Sequence, residues 1–211
     1  MVLYLSTPSG PDVCAAMSAG AFGCMTTPDQ GNRLPDGALW AADNGKFGKG
    51  WPGPEAWYLW LKDTVERYGT KRCLFAVAPD QPFDAAGTLY ESRPWLPMIR
   101  ALGIPAAFAA QDGCEHGLLP DWDEFDVLFL AGSTEWKVGQ VALSLSWEAK
   151  ARGKRVHMGR VNSRKRLRTA ESFGCDTADG TYFAFGPLIN LARMGRWAAE
   201  IAAQPSLGSA L

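Results

Sequence analysis

Asp126-Val127-Leu128-Phe129-Leu130-Ala131-Gly132-Ser133-Thr134-Glu135 is the stretch that decides the fold. Val127 to Ala131 is an unbroken apolar run, short for a helix and the right length for a strand buried on both faces. Gly132 and the polar residues after it break the run. Val138, Val141, Ala142, Leu145 and Ala149 then recur at helical spacing until Gly153 stops them. A buried strand, a polar turn and an amphipathic helix make half of a β-α-β unit, and such units build parallel sheets.

The same pattern extends in both directions. Upstream, strands are expected at Val2–Ser6, Ala21–Met25, Ala38–Ala42, Cys73–Ala78 and Pro105–Ala110. Downstream they are expected at Arg155–Met158 and Cys175–Asp179. Helices are expected over Pro11–Ala19, Pro54–Tyr68, Pro94–Leu102, Ser163–Phe173 and Leu188–Ala203. Pro54 sits where a first helical turn accepts proline, and Gly69 ends that helix. Eight strands, most of them followed by a helix, predict a compact α/β fold of the (β/α)8 TIM-barrel type, with helices shortened or missing in the N-terminal part. An open doubly wound sheet would show the same alternation and is the alternative. Residues 1–203 are expected to form one domain and residues 204–211 a flexible tail. Residues 26–37 and 45–53 are rich in glycine and proline and read as long loops.

The chain has 211 residues, 20% of them charged, and a formal net charge of -1, so no general basic field draws it to nucleic acid. Any such contact must be a local patch. Five scattered cysteines form no CxxC pair, which argues against a disulfide framework and against a cysteine-rich zinc site. His116 and His157 are the only histidines, and His157, inside a strand, reads as a hydrogen-bonded structural residue rather than a metal ligand. No metal and no cofactor are expected. The chain opens directly on a strand-like run, and no apolar run approaches membrane-spanning length, so no membrane association and a cytoplasmic location are expected.

Position makes the polar residues informative. Asp43, Asp80, Gln111 with Asp112, Ser133 to Glu135, Arg160, and Asp176 with Asp179 all fall at strand ends. In a barrel these ends converge on one mouth, where catalytic residues sit. Carboxylates sharing a cleft push one another's pKa values apart, so one can serve as acid while another stays ionised. Each also has a plainer reading. Asp43-Asn44-Gly45, Asp112-Gly113 and Asp179-Gly180 are turn pairs, and Asp80 is a candidate helix cap. Their joint occurrence at successive strand ends favours function. Residues 152–168 carry eight lysines and arginines and no acid. A charge run is commonly a solvated face, but here it surrounds a strand end at the expected mouth. Arg160, Arg164, Lys165, Arg166 and Arg168 are therefore candidate phosphate contacts.

Read in order, these motifs resemble the tRNA-guanine transglycosylases and, still more, their phage relatives, the 7-deazaguanine DNA transglycosylases. Asp43-Asn44-Gly45-Lys46-Phe47 resembles the motif whose aspartate does acid/base chemistry beside the base and whose aromatic stacks on it. Phe75 to Asp80 and Phe108 to Gly113 resemble the strands whose terminal aspartate and glutamine read the base, implying that role for Asp80 and Gln111. Ala131 to Glu135 resembles the turn that contacts the base, implying Gly132, Ser133 and Glu135. His157-Met158-Gly159-Arg160 resembles the segment whose methionine covers the base, implying Met158. Gly174 to Asp179 resembles the segment whose last aspartate is the nucleophile, implying Asp179. The tRNA enzymes of the family carry a zinc site with clustered cysteines, and this chain lacks those cysteines. The resemblance therefore implies a reduced, DNA-acting pentosyltransferase without the zinc subdomain. It would exchange guanine for a free 7-deazaguanine base, such as 7-cyano-7-deazaguanine, through a covalent aspartyl-sugar intermediate. RNA is the alternative acceptor. An N-glycosidic hydrolase, or a non-catalytic base- or nucleic-acid-binding subunit, are the alternative functions. The sequence leaves the oligomeric state open.

Overall fold

The computed structural model describes residues 1–203. Eight parallel strands close into one barrel in sequence order: β1 Leu3–Ser6, β2 Gly23–Thr26, β3 Trp40–Ala42, β4 Cys73–Val77, β5 Ala106–Ala110, β6 Val127–Leu130, β7 Arg155–Met158 and β8 Thr177–Asp179. β8 closes the ring on β1, with Thr177 opposite Leu3 and Asp179 opposite Leu5. The open-sheet alternative is thereby set aside. The outer layer is α1 Pro11–Ser18, α2 Pro54–Tyr68, α3 Ala85–Ser92, α4 Trp95–Ala101, α5 Thr134–Lys137, α6 Gln140–Ala151, α7 Arg164–Ser172 and α8 Pro187–Ala202. The described residues include no helix between β2 and β3, in line with the reduced N-terminal part that the sequence suggests. The expected tail, residues 204–211, lies outside the described residues.

Side chains on a strand alternate between faces, and this alternation separates two cores. Leu5, Met25, Ala41, Phe75, Val77, Ala107, Ala109, Val127 and Phe129 fill the barrel interior. Alanines face phenylalanines there, because eight strands enclose only enough room for side chains to fill. Tyr4, Trp40, Phe108, Leu128, Val156 and Met158 point outward and pack with Trp57, Leu61, Ile99 and Leu167 of the helices.

Two helices escape the hydrophobic pattern. The buried face of α3 is Ala85, Thr88 and Ser92, too small and polar to register as an apolar stripe. The Asp84 side chain caps this helix by accepting from the Gly87 N–H, a role the sequence offered to Asp80. Ser133 caps the single turn of α5, where only a loop was expected, by accepting from the Trp136 N–H. Asp176, expected at the mouth, lies at the opposite end of the barrel. It precedes β8, accepts from the Val156 N–H at 2.8 Å and pairs with Lys150 at 2.7 Å.

Candidate functional site

The strand ends surround a cleft of about 310 Å³. Asp43 follows β3, Asp80 follows β4, Gln111 follows β5, Arg160 follows β7, and Asp179 ends β8. All five line the cleft, as does Phe47. Six residues singled out from sequence are thus gathered in one place. Val77, Ala109, Phe129 and Gly159 supply its apolar floor. The two long loops form one wall: Thr27, Asp29 and Gln30 come from the first, and Gly45 with residues 47–50 from the second. They meet at Gly50, where a Cβ would stand 2.4 Å from the Asp29 Cβ, so only glycine permits the contact.

A buried polar network builds one side of the cleft. Gln111, 2% exposed, donates from Nε2 to Asp80 Oδ2 at 2.6 Å and accepts at Oε1 from the Phe83 N–H at 3.0 Å. Asn44, 1% exposed, donates from Nδ2 to Asp80 Oδ1 at 2.8 Å and to the Ala78 carbonyl at 2.9 Å. Asn44 was read only as half of a turn pair. The turn is real, since Asp43 Oδ1 accepts from the Gly45 N–H at 3.3 Å and Asn44 Oδ1 from the Lys46 N–H at 2.8 Å. The same turn aims Asn44 inward, so turn and site are one object. Burial raises the Asp80 pKa, against the lowering pull of the Asn44 amide, the Lys46 charge and the Gln111 amide.

Asp43 is pushed up to about 7, first by burial and then by the negative charges of Asp179 and Asp80. A carboxyl in that range can give and take a proton near neutrality. Asp179 accepts at Oδ1 from His157 Nε2 at 2.9 Å, and the other ring nitrogen, Nδ1, lies 2.7 Å from Thr177 Oγ1. His157 is fully buried in the barrel interior, with its ring centroid 4.9 Å from that of Phe75 and 4.5 Å from that of Phe129. The expected structural, hydrogen-bonded histidine is present, and its partner is the aspartate of the cleft.

The remaining residues named from sequence lie elsewhere. Met158 is fully buried between strands and helices and does not line the cleft. On β7 its side chain alternates with that of His157, so when histidine faces inward methionine must face outward. Gly132 is wedged against Asp112 and Trp136, with no room for a Cβ. Ser133 is committed to Asp112, which accepts from its N–H at 2.6 Å and its hydroxyl at 2.5 Å. Glu135 is exposed on α5. None of these three lines the cleft.

The basic run divides. Arg160 lines the cleft, donates to the Ala131 carbonyl at 2.7 Å and to the Gly132 carbonyl, and stacks on Phe47. Arg166 turns toward it and donates to the Arg160 carbonyl at 3.0 Å. Arg164, Lys165 and Arg168 line a separate shallow depression on α7, and Arg164 pairs with Glu200 at 2.7 Å. Lys137 gave no signal in the sequence. It is fully buried, its ammonium has no hydrogen-bond partner among the described residues, and burial with the charges of Arg160 and Arg166 lowers its pKa to about 7, against the pull of Asp179. Among the described residues, no cluster of three or more histidines, cysteines or acids could hold a metal ion, and no helix is long and apolar enough to cross a membrane.

No family model matches this chain, and no curated protein matches it. Solved structures do. The chain is similar to the native KDPGal structure, with 15% identity, 97% of each chain covered and a TM-score of 0.58. It is similar to tryptophan synthase from M. tuberculosis, with 16% identity, 96% of this chain and 91% of that chain covered and a TM-score of 0.59. It is also similar to a 4-hydroxy-2-oxoglutarate aldolase/2-deydro-3-deoxyphosphogluconate aldolase from TTHB1, with 14% identity, 95% of this chain and 92% of that chain covered and a TM-score of 0.54. Likeness at this level of identity shows the fold, a (β/α)8 barrel, and the chemistry must be read from the residues of the cleft.

Proposed function

We propose that the protein is a base-exchanging pentosyltransferase that replaces guanine in DNA by a free 7-deazaguanine base. The observation that carries this reading is the meeting of Asp43 and Asp179 in one cleft beside the Asp80–Gln111 pair. Asp179 attacks the anomeric carbon of the deoxyribose. The bond from C1′ to the base nitrogen breaks, and its electron pair leaves with guanine. Asp43 gives that guanine a proton, and the sugar stays behind as an aspartyl ester. The incoming 7-deazaguanine gives its proton to Asp43 and attacks C1′ through nitrogen, and the Asp179 carboxylate departs. Two inversions give net retention. Asp80 and Gln111 select guanine-like edges with the capacity left after they bond each other, the second lone pairs of the carboxylate and the second hydrogen of the amide. Phe47 stacks on one ring face, and the apolar floor takes the place expected of Met158. A paired base is out of reach, so the nucleotide flips out or the strand is single. Arg160 and Arg166 at the mouth, followed by Arg164, Lys165 and Arg168 on α7, offer a path for the flanking phosphates.

The test is incubation of a single-stranded guanine-containing oligodeoxynucleotide with 7-cyano-7-deazaguanine, followed by mass analysis of the nucleosides. Incorporation that disappears in Asp179→Asn is expected. Abasic sites without incorporation would identify a hydrolase using the same cleft. Unmodified DNA, and binding that Asp179→Asn leaves unchanged, would identify a binding protein. Repeating the incubation with an RNA of the same sequence assigns the acceptor.

A further inference from the structure

The reading above assigns His157 no part, yet the barrel is built around it. Thr177 and His157 are register partners on β8 and β7. Asp179 lies two residues further along β8, so its carboxylate stands one layer above the histidine, toward the mouth. The Phe75 and Phe129 rings pack against the imidazole, and full burial leaves it no alternative position. An ionised carboxylate can only accept, so Nε2 must carry the hydrogen shared with Asp179. The Thr177 hydroxyl, which can donate as well as accept, then supplies its hydrogen to Nδ1 and holds the ring in that tautomer. Asp179 Oδ1 is thereby held, while Oδ2 has no hydrogen bond from the described residues, which leaves it the oxygen free to attack.

We propose that His157 is a positioning residue whose Nε2–H makes Asp179 a good leaving group in the second half of the exchange. This rests on the covalent reading given above. In the aspartyl ester the bond to C1′ runs through Oδ2, and Oδ1 is a neutral carbonyl oxygen that accepts weakly. When the incoming nitrogen attacks C1′, the C1′–Oδ2 bond breaks and its electron pair returns to the carboxylate. The Nε2–H bond then becomes charge-assisted and roughly twice as strong as before. The donor stabilises the departing carboxylate and tempers the attacking one. Its removal therefore slows resolution of the intermediate more than its formation.

The experiment follows the protein-bound adduct by intact mass, with a single-stranded guanine oligonucleotide and a limiting supply of 7-cyano-7-deazaguanine. His157→Phe fills the aromatic cage without a donor. It is expected to lower turnover about 10- to 100-fold, the range for losing a hydrogen bond to a charged group, and to raise the adduct fraction at steady state. His157→Gln keeps an N–H and is expected to fall between His157→Phe and the wild type. Thr177→Val keeps the shape, frees Nδ1, and is expected to shift the adduct fraction in the same direction by less. It also serves where the histidine variants fail to fold. Equal slowing of formation and resolution, with no gain in adduct, overturns the role and leaves a structural histidine. Nitrogen NMR of the wild type gives an independent reading: the hydrogen is expected on Nε2, and a hydrogen on Nδ1 alone overturns the assignment. If the wild type forms no adduct and exchanges no base, the covalent reading fails with it. Loss of the adduct shift alone removes only the histidine.

Discussion

The guanidinium of Arg160 lies 4.3 Å from the ring centroid of Phe47, and the arginine that makes this stack has φ of 58°, a conformation rare outside glycine. The ring of Phe83 stands 6.0 Å from that of Phe47 and 5.7 Å from the same guanidinium. A strained backbone at a cleft is held by its surroundings, here by Arg166, which donates to the Arg160 carbonyl, while the guanidinium of Arg160 is anchored on the carbonyls of Ala131 and Gly132. The planar cation thus covers one face of the Phe47 ring, and a base that stacks on this residue must use the other face or displace the cation.

Phe47 is 58% exposed, so its removal costs little stability. Stacking of a base on an aromatic is worth about 1–3 kcal/mol by alanine substitution. Phe47→Ala is expected to raise KM for the base by about 5- to 100-fold, with a smaller effect on kcat, and Phe47→Tyr to stay near wild type. Steady-state exchange at varied base concentration checks this. A fall confined to kcat would mean that the ring does not hold the base.

Asp43 carries a pH signature. Its folded pKa, about 7, stands above its ordinary value, so the folded state binds this proton more tightly than the unfolded chain. Ionisation of this group therefore costs stability progressively between about pH 4 and pH 7, and the full cost remains above pH 7. Asp43→Asn is expected to match the wild-type Tm near pH 4 and to exceed it by at least about 3 °C above pH 7, given roughly 2–4 °C per kcal/mol for a chain of this size. Thermal unfolding across pH 4–9 measures the divergence. Under the exchange proposed above, the same substitution is expected to abolish base incorporation.

Lys137 predicts the opposite slope. Its folded pKa, about 7, is depressed, so the unfolded chain binds the proton more tightly. The cost is full below pH 7 and fades as pH rises from about 7 toward the ordinary lysine value. Lys137→Met keeps the length and removes a buried ammonium that has no hydrogen-bond partner among the described residues. Its Tm is expected to exceed wild type at pH 6 and by less at pH 9. Equal gains at both values would show that the ammonium stays charged up to pH 9, with its pKa not lowered by burial.

Gly159 is a matter of space. A Cβ there would meet the Phe129 ring at 2.5 Å and stand 3.4 Å from Asp179 Oδ1. Gly159→Ala is expected to cost about 1–3 kcal/mol from overpacking and to lower activity more than that loss of folded protein accounts for. Denaturant unfolding and activity per folded molecule separate the two effects.

Much of this was legible in the chain. The run Val127 to Leu130 and the helical stripe after it are the observed β6 and α6, because burial on both faces leaves a continuous apolar signal. The acids after β3 and β4 and at the end of β8 reach one cleft because a closed parallel barrel delivers every strand end to the same side. What stayed hidden had no apolar period. The buried face of α3 is Ala85, Thr88 and Ser92, and the whole of α5 is one capped turn. Asn44 looked like a turn residue because it is one.

The sequence by itself determined the order of strands and helices and the placing of Asp43, Asp80, Gln111 and Asp179 at strand ends, since these follow from local apolar periodicity. Only the tertiary structure decided what faces what. On β7 the inward residue is His157 and Met158 is outward, a choice set by register against β6 and β8 rather than by either residue. A one-residue slip would exchange the two. The basic run is divided likewise, with Arg160 in the cleft and Arg168 on an outer face of α7. Parity along a strand and angle around a helix become inside and outside only when the barrel closes.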